Sequence, residues 1–171
     1  RRVLRDLIGC DDSAPVVLYQ GGLIGGRALH RLVAAMASIP SALLVIEGSG
    51  PAEDALREVA AASGCADRVR FMGWIPPEHL HAHACGADVG VVIYENTSLN
   101  NYYAAPNKLY AYLMAGLPMA SSDFPGLRDV VVGEGVGDVF DPAGEESIAS
   151  TLRSLLDDTA GRAQMAARAR L

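Results

Sequence analysis

Short aliphatic runs alternate with longer amphipathic patterns along almost the whole chain, and this alternation restricts the fold more than any other sequence feature. A strand, a helix and a further strand in that order form a parallel pair, because the helix carries the chain back to the same edge of the sheet. The sequence therefore predicts an α/β fold built on a doubly wound parallel sheet of about six strands, with helices on both faces.

The predicted elements are short and closely connected, which is typical of Rossmann-like α/β units. We expect strands at residues 16–19, 42–47, 68–72, 88–94, 118–121 and 137–140. We expect helices at residues 1–9, 27–37, 51–63, 76–85, 106–115, 125–132, 145–157 and 162–170. A single domain is predicted, with a linker helix and lead-in at 1–14, a core at 15–158 and a carboxyl-terminal helix at 159–171.

Length and composition favour one soluble domain. The 171 residues are half hydrophobic, which is enough for one substantial core but not for a second domain of equal size. No apolar stretch approaches the roughly 20 residues of a membrane-spanning helix, and the start lacks a signal-peptide pattern. Since the chain begins with Arg1 rather than Met, we expect it to be a piece of a longer protein.

Charge and cysteine usage restrict the partners and the compartment. A net charge of −6 without a basic run argues against a nucleic-acid-binding face, so any bound phosphate must be held locally. Cys10, Cys65 and Cys85 lack the close spacing of a zinc or redox site. We expect them to be small buried side chains in a protein of the reducing cytoplasm, and we predict no metal site.

Two unusual loops are predicted to face one crevice. In a doubly wound sheet, ligands bind beyond the carboxyl ends of the strands, where the strand order reverses. For the order 3-2-1-4-5-6 this point lies between the first and fourth strands, so the loops at 20–27 and 95–106 are expected to meet there. The second loop is long, has no periodicity and concentrates hydrogen-bonding groups, among them Asn100, Asn101 and Tyr103.

The first of these loops carries four glycines followed by a cation. Glycines such as Gly21 and Gly22 permit positive φ and let a ligand approach the backbone, where Arg27 would neutralise a phosphate. The loop matches neither the dinucleotide fingerprint nor the phosphate loop that ends in Gly-Lys-Ser/Thr. The alternative is a flexible turn in which Arg27 is solvated.

The second loop ends at Ala105-Pro106-Asn107-Lys108. Pro106 is predicted at the first helical position, where its missing N–H is not needed. The free N–H groups of Asn107 and Lys108, the helix dipole and the Lys108 side chain would together favour a pyrophosphate. The alternative is that Lys108 is an ordinary surface lysine.

Weaker candidates lie after the second and third predicted strands. Gly50 belongs to the Glu47-Gly48-Ser49-Gly50-Pro51 segment, which by itself predicts only a tight turn. The backbone near Ile75 is placed to contact a nucleobase. We expect Trp74 to be a core aromatic at the strand end rather than a stacking surface.

Three further polar residues are given structural interpretations. His79 and His83 would share a helix face without a carboxylate or cysteine, so we interpret them as part of a polar surface. Asp123 is predicted to be the N-cap of the short helix that follows it.

A series of motifs in a fixed order resembles one known family. Residues 16–157 resemble the carboxyl-terminal half of GT-B glycosyltransferases, specifically the large retaining family four. The resemblance rests on the segments Gly21-Gly22-Leu23 with Arg27, Glu47-Gly48-Ser49-Gly50-Pro51, 68–74, 87–90, 106–118, 122–126 and Asp141-Pro142. The chain is therefore expected to be a nucleotide-sugar-binding domain from an enzyme of polysaccharide or glycoconjugate biosynthesis.

The resemblance implies a role for each part of the crevice. Arg27 and Lys108 would be the catalytic cations at the donor's diphosphate, and the amides of Asn107 and Lys108 would cap it. Backbone near Ile75 would meet the base, and residues 97–103 would lie near the sugar. The family also implies retaining transfer without a metal or other cofactor.

The rest of the enzyme is expected outside this chain. The acceptor site would belong to an amino-terminal domain that is absent, so we expect the isolated chain to be inactive. Many relatives act on lipid-linked acceptors, which implies a cytoplasmic enzyme with peripheral contact to the inner membrane face through that other half.

Three positions differ from the family pattern. Gly22 stands where an arginine often precedes the leucine of the first loop. Such enzymes often carry two glutamates eight positions apart, one at the sugar and one at the ribose, where this chain has Tyr103 and Ala111. Losing each carboxylate would weaken binding by about 1–3 kcal/mol. Sugar transfer from a nucleotide diphosphate sugar is the predicted function. The alternatives are a binding or scaffolding domain without turnover and, less favoured, a sugar-nucleotide epimerase.

Overall fold

The computed structural model describes residues 2–169, and within them each predicted strand forms. The strands are β1 (Val16–Gln20), β2 (Leu43–Glu47), β3 (Val69–Gly73), β4 (Val89–Val92), β5 (Met119–Ser122) and β6 (Gly137–Phe140). The helices are α1 (Arg2–Ile8), α2 (Leu29–Ala35), α3 (Glu53–Ala62), α4 (Pro77–Ala84), α5 (Leu99–Tyr102), α6 (Asn107–Ala115), α7 (Pro125–Val131), α8 (Glu145–Asp157) and α9 (Thr159–Arg168). The predicted helix ends at Arg1 and Arg170 lie outside the described residues.

The sheet is wholly parallel and follows the order β3-β2-β1-β4-β5-β6. The predicted doubly wound topology is therefore confirmed, including the reversal between β1 and β4. β1 is uncharged and fully buried, as expected of a strand with neighbours on both edges and helices on both faces.

Alternate residues of β1 enter two separate cores. Val17 and Tyr19 pack into a core shared with α2, α3 and α8, whereas Val16 and Leu18 pack into one shared with α1, α4, α6 and α7. This period of two is the side-chain geometry of a strand. The helices therefore cover both faces, as predicted, and leave the carboxyl edge of the sheet free for loops.

The loops at this edge begin and end differently from the prediction. The helix predicted from Arg27 begins at Leu29, because Ala28 has a left-handed backbone conformation with φ 46°. The predicted fourth strand stops at Val92 rather than residue 94. Ser122 Oγ accepts a hydrogen bond from Tyr94 N at 2.9 Å and donates one to Tyr94 O at 3.0 Å. At Tyr94 the Ser122 side chain therefore takes the place of the backbone hydrogen bonds between neighbouring strands.

Helix boundaries show three further corrections. The loop at 95–105 was predicted without secondary structure but contains α5, whose start is capped by Ser98. Asp123 does not cap α7, whose N-cap is Phe124; its carboxylate instead pairs with Arg128 at 2.5 and 2.7 Å. α9 begins before the predicted residue 162, because Asp158 accepts a hydrogen bond from Gly161 N at 2.7 Å.

Candidate functional site

A cleft of about 530 Å³ opens at the carboxyl edge of the sheet, beside the reversal point between β1 and β4. Its lining brings together most of the residues that the sequence singled out, namely Gly21, Gly22, Arg27, Ile75, Pro106, Asn107, Lys108 and Ala111. Gln20 and Glu47 line the cleft within segments that the sequence analysis had singled out, although neither was named as a site residue. Tyr19, Leu80 and Tyr94 were not predicted. The volume is in the range of small-molecule sites.

The floor of the cleft is built from loops that lie backbone against backbone. Gly21 N donates to Glu47 O at 2.8 Å, and Leu23 N donates to Ser49 O at 3.1 Å. A Cβ added at Gly48 would lie 1.9 Å from Gly21 O, and one at Gly50 would lie 2.3 Å from Leu23 O. Gly50 is therefore required for the approach of the two loops, and it does not line the cleft.

Arg27 presents its guanidinium across the face of an aromatic ring. The Arg27 Cζ atom lies 4.1 Å from the centroid of the Tyr94 ring, an arrangement that holds the cation by a cation–π contact. The Arg27 Nη1 atom is enclosed and has no hydrogen-bond partner within residues 2–169. Such a donor is costly when unpaired, so Nη1 is poised to receive an acceptor from a ligand.

Lys108 is the only lysine in the sequence, and it lies against the glycine loop. Its Nζ is 3.8 Å from the centroid of the Tyr19 ring, and a Cβ at Gly21 would lie 2.7 Å from Nζ. Burial lowers the pKa of Lys108 from 10.5 to about 7, and the charge of Arg27 lowers it further in the same direction. No carboxylate pairs with Lys108 in the described part of the chain.

The Tyr19 ring stays neutral beneath these cations. Burial raises the pKa of Tyr19 to about 12, although the charge of Arg27 opposes that rise. Its hydroxyl donates to Gly22 O at 3.1 Å, which fixes the ring against the glycine loop. The two cations therefore share one side of the cleft, and no carboxylate within residues 2–169 forms an ion pair with either of them.

Helix α6 directs its amino-terminal end into the same cleft. Pro106 was predicted as the first helical residue but is the N-cap, with extended φ −74° and ψ 152°, and α6 begins at Asn107. Among residues 2–169, no side chain accepts a hydrogen bond from this end of the helix. The N–H groups of Asn107 and Lys108 have no acceptor within their own helix, and about half a positive charge is associated with them.

Three predicted residues of the long loop, Asn100, Asn101 and Tyr103, do not line the cleft. Asn101 Nδ2 donates to Gly26 O at 3.3 Å and to Thr97 Oγ1 at 3.0 Å, so this side chain ties the long loop to the glycine loop. Asn100 is exposed on α5. Tyr103 is exposed and stacks edge-on against Tyr102 at 5.0 Å, while Ala111 lines the cleft.

The opposite wall of the cleft is formed by the segment after β3. Trp74 was expected in the core but is 67% exposed and lines the cleft beside Ile75. Its position follows from Gly73, whose φ of 70° turns the chain out of the sheet immediately before it. This wall therefore offers an apolar and aromatic surface to a planar group.

A buried polar cluster under the cleft was missed by the sequence analysis. His83 was interpreted as part of a polar surface, yet it is buried and its Nδ1 lies 2.6 Å from Glu47 Oε1. Gln20 Nε2 donates to Glu47 Oε2 at 2.9 Å. A signal existed, since Glu47 ends the otherwise apolar strand Leu43–Glu47 and a buried charge needs a partner.

The remaining sequence predictions concern cysteines, metals and membranes. Cys65 is buried as expected, whereas Cys10 and Cys85 are only half-buried, and all three are free thiols. No cluster of His, Cys, Asp or Glu side chains suited to a metal ion occurs in residues 2–169. None of the helices in that range is long and apolar enough to cross a bilayer.

Comparison with known proteins gives one family and one fold. A model of the family described as "Glycosyl transferases group 1" matches residues 14–158. The GDP-mannose-dependent α-(1-6)-phosphatidylinositol monomannoside mannosyltransferase of Mycolicibacterium smegmatis is 27% identical over 170 residues, which are 96% of this chain and 44% of that protein.

Solved structures reproduce the same architecture. Sucrose-phosphate synthase from Thermosynechococcus elongatus superposes with a TM-score of 0.85 at 26% identity, over 99% of this chain and 43% of that one. HepE of Anabaena, crystallised with UDP-glucose, gives 0.81 at 19% identity, over 98% of this chain and 45% of that one. The chain thus spans less than half the length of these relatives.

Proposed function

We propose that this chain, which belongs to the group 1 glycosyl transferases, binds the nucleotide diphosphate sugar donor of a retaining, metal-independent sugar transfer. The observation that carries the proposal is the pairing of Arg27 with Lys108 at the start of α6. Both cations line one cleft, and neither has a carboxylate partner within residues 2–169.

The diphosphate is the part of a donor that this arrangement suits. Its negative charges lie between the Arg27 guanidinium and the Lys108 ammonium and accept hydrogen bonds from the first N–H groups of α6. A phosphate oxygen at Arg27 Nη1 supplies the partner that this enclosed donor lacks. Binding therefore relieves an unsatisfied donor as well as bringing opposite charges together.

The proposed chemistry uses these charges to stabilise the leaving group. As the bond between the anomeric carbon and the diphosphate oxygen breaks, its electron pair moves onto the diphosphate, beside Arg27 and Lys108. The acceptor hydroxyl attacks the oxocarbenium-like sugar from the face that the diphosphate leaves, and its proton passes to a departing phosphate oxygen. Hydrogen-bond donors directed at the charge that develops in the transition state lower the barrier, and each raises the rate by a factor of about 10²–10³.

The nucleoside is proposed to lie towards the wall after β3. The backbone at Ile75 faces the cleft, and the exposed Trp74 ring gives that end an aromatic surface. HepE was crystallised with UDP-glucose, and the mannosyltransferase relative is named for GDP-mannose. Both findings support a nucleotide sugar as the donor, and the affinities of uracil and guanine nucleotides must therefore be compared.

The acceptor is proposed to bind outside this chain. The relatives matched are more than twice as long as the matched segment, and we propose that an amino-terminal domain completes the cleft, so the isolated chain binds donor without transferring sugar. Peripheral membrane contact, if the acceptor is a lipid, would belong to that domain.

A second function, donor binding without turnover, is favoured by one observation. Ala111 lines the cleft and cannot supply a carboxylate, and Tyr103 is exposed outside it. Full-length protein incubated with UDP-, GDP- and ADP-sugars separates the two functions. Sugar transfer or donor hydrolysis that is lost in Lys108→Met supports the enzyme, whereas donor binding without either reaction supports the second function.

Calorimetry with the chain tests the donor site directly. UDP, GDP and ADP are titrated into the wild type, Arg27→Met, Lys108→Met and the control Arg153→Gln, a surface cation on α8. Charge-assisted hydrogen bonds of about 1.5–3 kcal/mol predict roughly 10- to 150-fold weaker binding in the first two variants only. Equal affinity in all four proteins, or binding of none of the nucleotides, would reject the proposal.

A further inference from the structure

Gln20 ends β1 with a side chain that is held rigidly at the base of the cleft. The residue is only 6% exposed, yet it lines the cleft. Its Nε2 donates to Glu47 Oε2 at 2.9 Å and to Leu80 O at 3.0 Å. Both partners are acceptors only, and together they use both amide hydrogens, so the amide cannot be flipped without losing two hydrogen bonds.

The carbonyl oxygen of this amide has no hydrogen-bond partner in the part of the chain that the structure describes. Gln20 Oε1 accepts no hydrogen bond from residues 2–169, and among them Arg27 Nη1 is the one enclosed side-chain N or O atom without a partner. Gln20 Oε1 is therefore not fully enclosed, and Gln20 is one of the residues that line the cleft. A carbonyl oxygen held in one direction at the base of a cleft favours a ligand group that donates a hydrogen bond.

Gln20 lies between the two ends of the cleft. Its neighbour Gly21 lies against Lys108 Nζ, at the end where the cations are. Its partner Leu80 belongs to α4, which follows directly on the Trp74–Ile75 wall. Gln20 N also donates to the Tyr112 hydroxyl at 3.0 Å, which fixes the residue beside α6, one turn beyond Lys108.

We propose that Gln20 Oε1 accepts a hydrogen bond from a ribose hydroxyl of the bound nucleotide and so selects ribonucleotides over deoxyribonucleotides. In a nucleoside diphosphate the ribose joins the diphosphate to the base. A diphosphate at Lys108 and a base near Ile75 place the ribose opposite Gln20. The inference rests on the proposed donor site and adds to it the group that recognises the sugar of the nucleoside.

Glu47 and His83 act in this proposal as positioning residues. Glu47 Oε2 holds the amide of Gln20, while Glu47 Oε1 lies 2.6 Å from His83 Nδ1. Both side chains are buried below the cleft, with 0% and 6% of their surfaces exposed. His83 holds the Glu47 carboxylate through the other oxygen, so loss of His83 lets that carboxylate rotate and weakens its hold on the Gln20 amide.

The test compares ribonucleotides with their deoxy analogues. Affinities of UDP, GDP and ADP for the chain are measured beside those of the 2′-deoxy and 3′-deoxy forms. We expect about tenfold weaker binding of at least one deoxy form by the wild type, as for one lost hydrogen bond to a buried acceptor. In Gln20→Met the ratio of ribonucleotide affinity to deoxyribonucleotide affinity is expected to fall to about one. The matched control Gln164→Met on α9 is expected to keep the wild-type ratio.

Inorganic pyrophosphate distinguishes this inference from the donor site itself. Pyrophosphate has no ribose, so its affinity is expected to be equal in the wild type, Gln20→Met and His83→Phe. His83→Phe is expected to lower the ratio of ribonucleotide affinity to deoxyribonucleotide affinity and to leave the pyrophosphate affinity unchanged. A general loss of structure would weaken pyrophosphate binding as well.

Two results overturn the inference while leaving the donor site intact. One is a wild type that binds a ribonucleotide and both its deoxy forms equally. The other is a ratio that is unchanged in Gln20→Met when circular dichroism shows that the variant is folded. If the wild type binds no nucleotide and no pyrophosphate, the proposed function fails and this inference fails with it.

Discussion

Lys108 is predicted to lose its proton near neutral pH when the cleft is empty. Desolvation is the larger cause and the Arg27 charge the second, and together they lower the pKa from 10.5 to about 7. At pH 8 the ammonium would then be protonated in about one molecule in ten. A bound diphosphate adds negative charge beside Nζ, so the protonated form is restored and about 0.8–0.9 proton is taken up per site at that pH.

Because the sequence contains one lysine, this titration can be observed without mutagenesis. Protein labelled with 13C at the lysine ε-carbon gives a single lysine resonance, whose chemical shift is followed between pH 5 and pH 11. We expect a midpoint of about 7 in the free chain and a midpoint at least two pH units higher with saturating UDP or GDP. Arg27→Met is expected to raise the free midpoint only in part, since desolvation remains.

Either of two outcomes would refute this reasoning. A midpoint near 10.5 in the free chain would mean that Nζ is solvated and that the electrostatic description of the cleft is wrong. A lowered midpoint that does not move when a nucleotide binds would show that the diphosphate lies away from Lys108.

Three further predictions concern stability, and urea unfolding measures each of them. Lys108 binds more protons in the unfolded chain than in the folded chain between pH 7 and pH 10.5, so its contribution makes the wild type more stable as pH rises through that range. Lys108→Met should be more stable than the wild type by a few kcal/mol at pH 7, with the difference vanishing near pH 10.5; a constant difference would contradict this. Gly48→Ala should lower the free energy of unfolding by more than about 2 kcal/mol, because the added Cβ would lie 1.9 Å from Gly21 O and the φ of this residue is 143°. The control Gly25→Ala, with open space around its Cβ, should lower it by less than about 1 kcal/mol. Arg5→Met should cost about 3–5 kcal/mol, since it removes a buried guanidinium that pairs with Asp88 at 2.6 Å and donates to three main-chain carbonyl oxygens. A cost below about 1 kcal/mol would show that these acceptors are satisfied by water.

The topology and the place of the cleft could be predicted because both follow from local patterns. Alternation of strand and helix fixes parallel pairing, and the right-handed crossover then limits the strand order. The glycine loop and the Pro106 helix start are visible in sequence as special backbone, and they meet where the order reverses. The role of each lining residue in binding stays a prediction.

What the sequence analysis missed depends on contacts between distant segments. Glu47 and His83 are 36 residues apart, and no local spacing relates a strand end to a helix interior. Trp74 was placed in the core by its composition, whereas the positive φ of Gly73 turns it outwards. Asp123 had the residue type of a cap, but the nearby Arg128 guanidinium binds the carboxylate and lowers its pKa.

Burial also changes how the polar residues of the cleft are understood. Lys108 was predicted from sequence to contact a phosphate and Gln20 was given no role of its own, and the burial of neither side chain was predicted. In the structure, Lys108 lies over the Tyr19 ring and Gln20 is fixed by two acceptors, so each presents one defined group to the cleft. Their chemistry follows from the walls around them rather than from residue type.

The most direct test of the donor site is a crystal structure of the chain with UDP or GDP. The diphosphate is predicted to lie between the Arg27 guanidinium and the Asn107 and Lys108 N–H groups, with an oxygen within hydrogen-bond distance of Arg27 Nη1. A diphosphate bound elsewhere, for instance in the smaller groove beside Arg31 and Glu95, would contradict the proposed site.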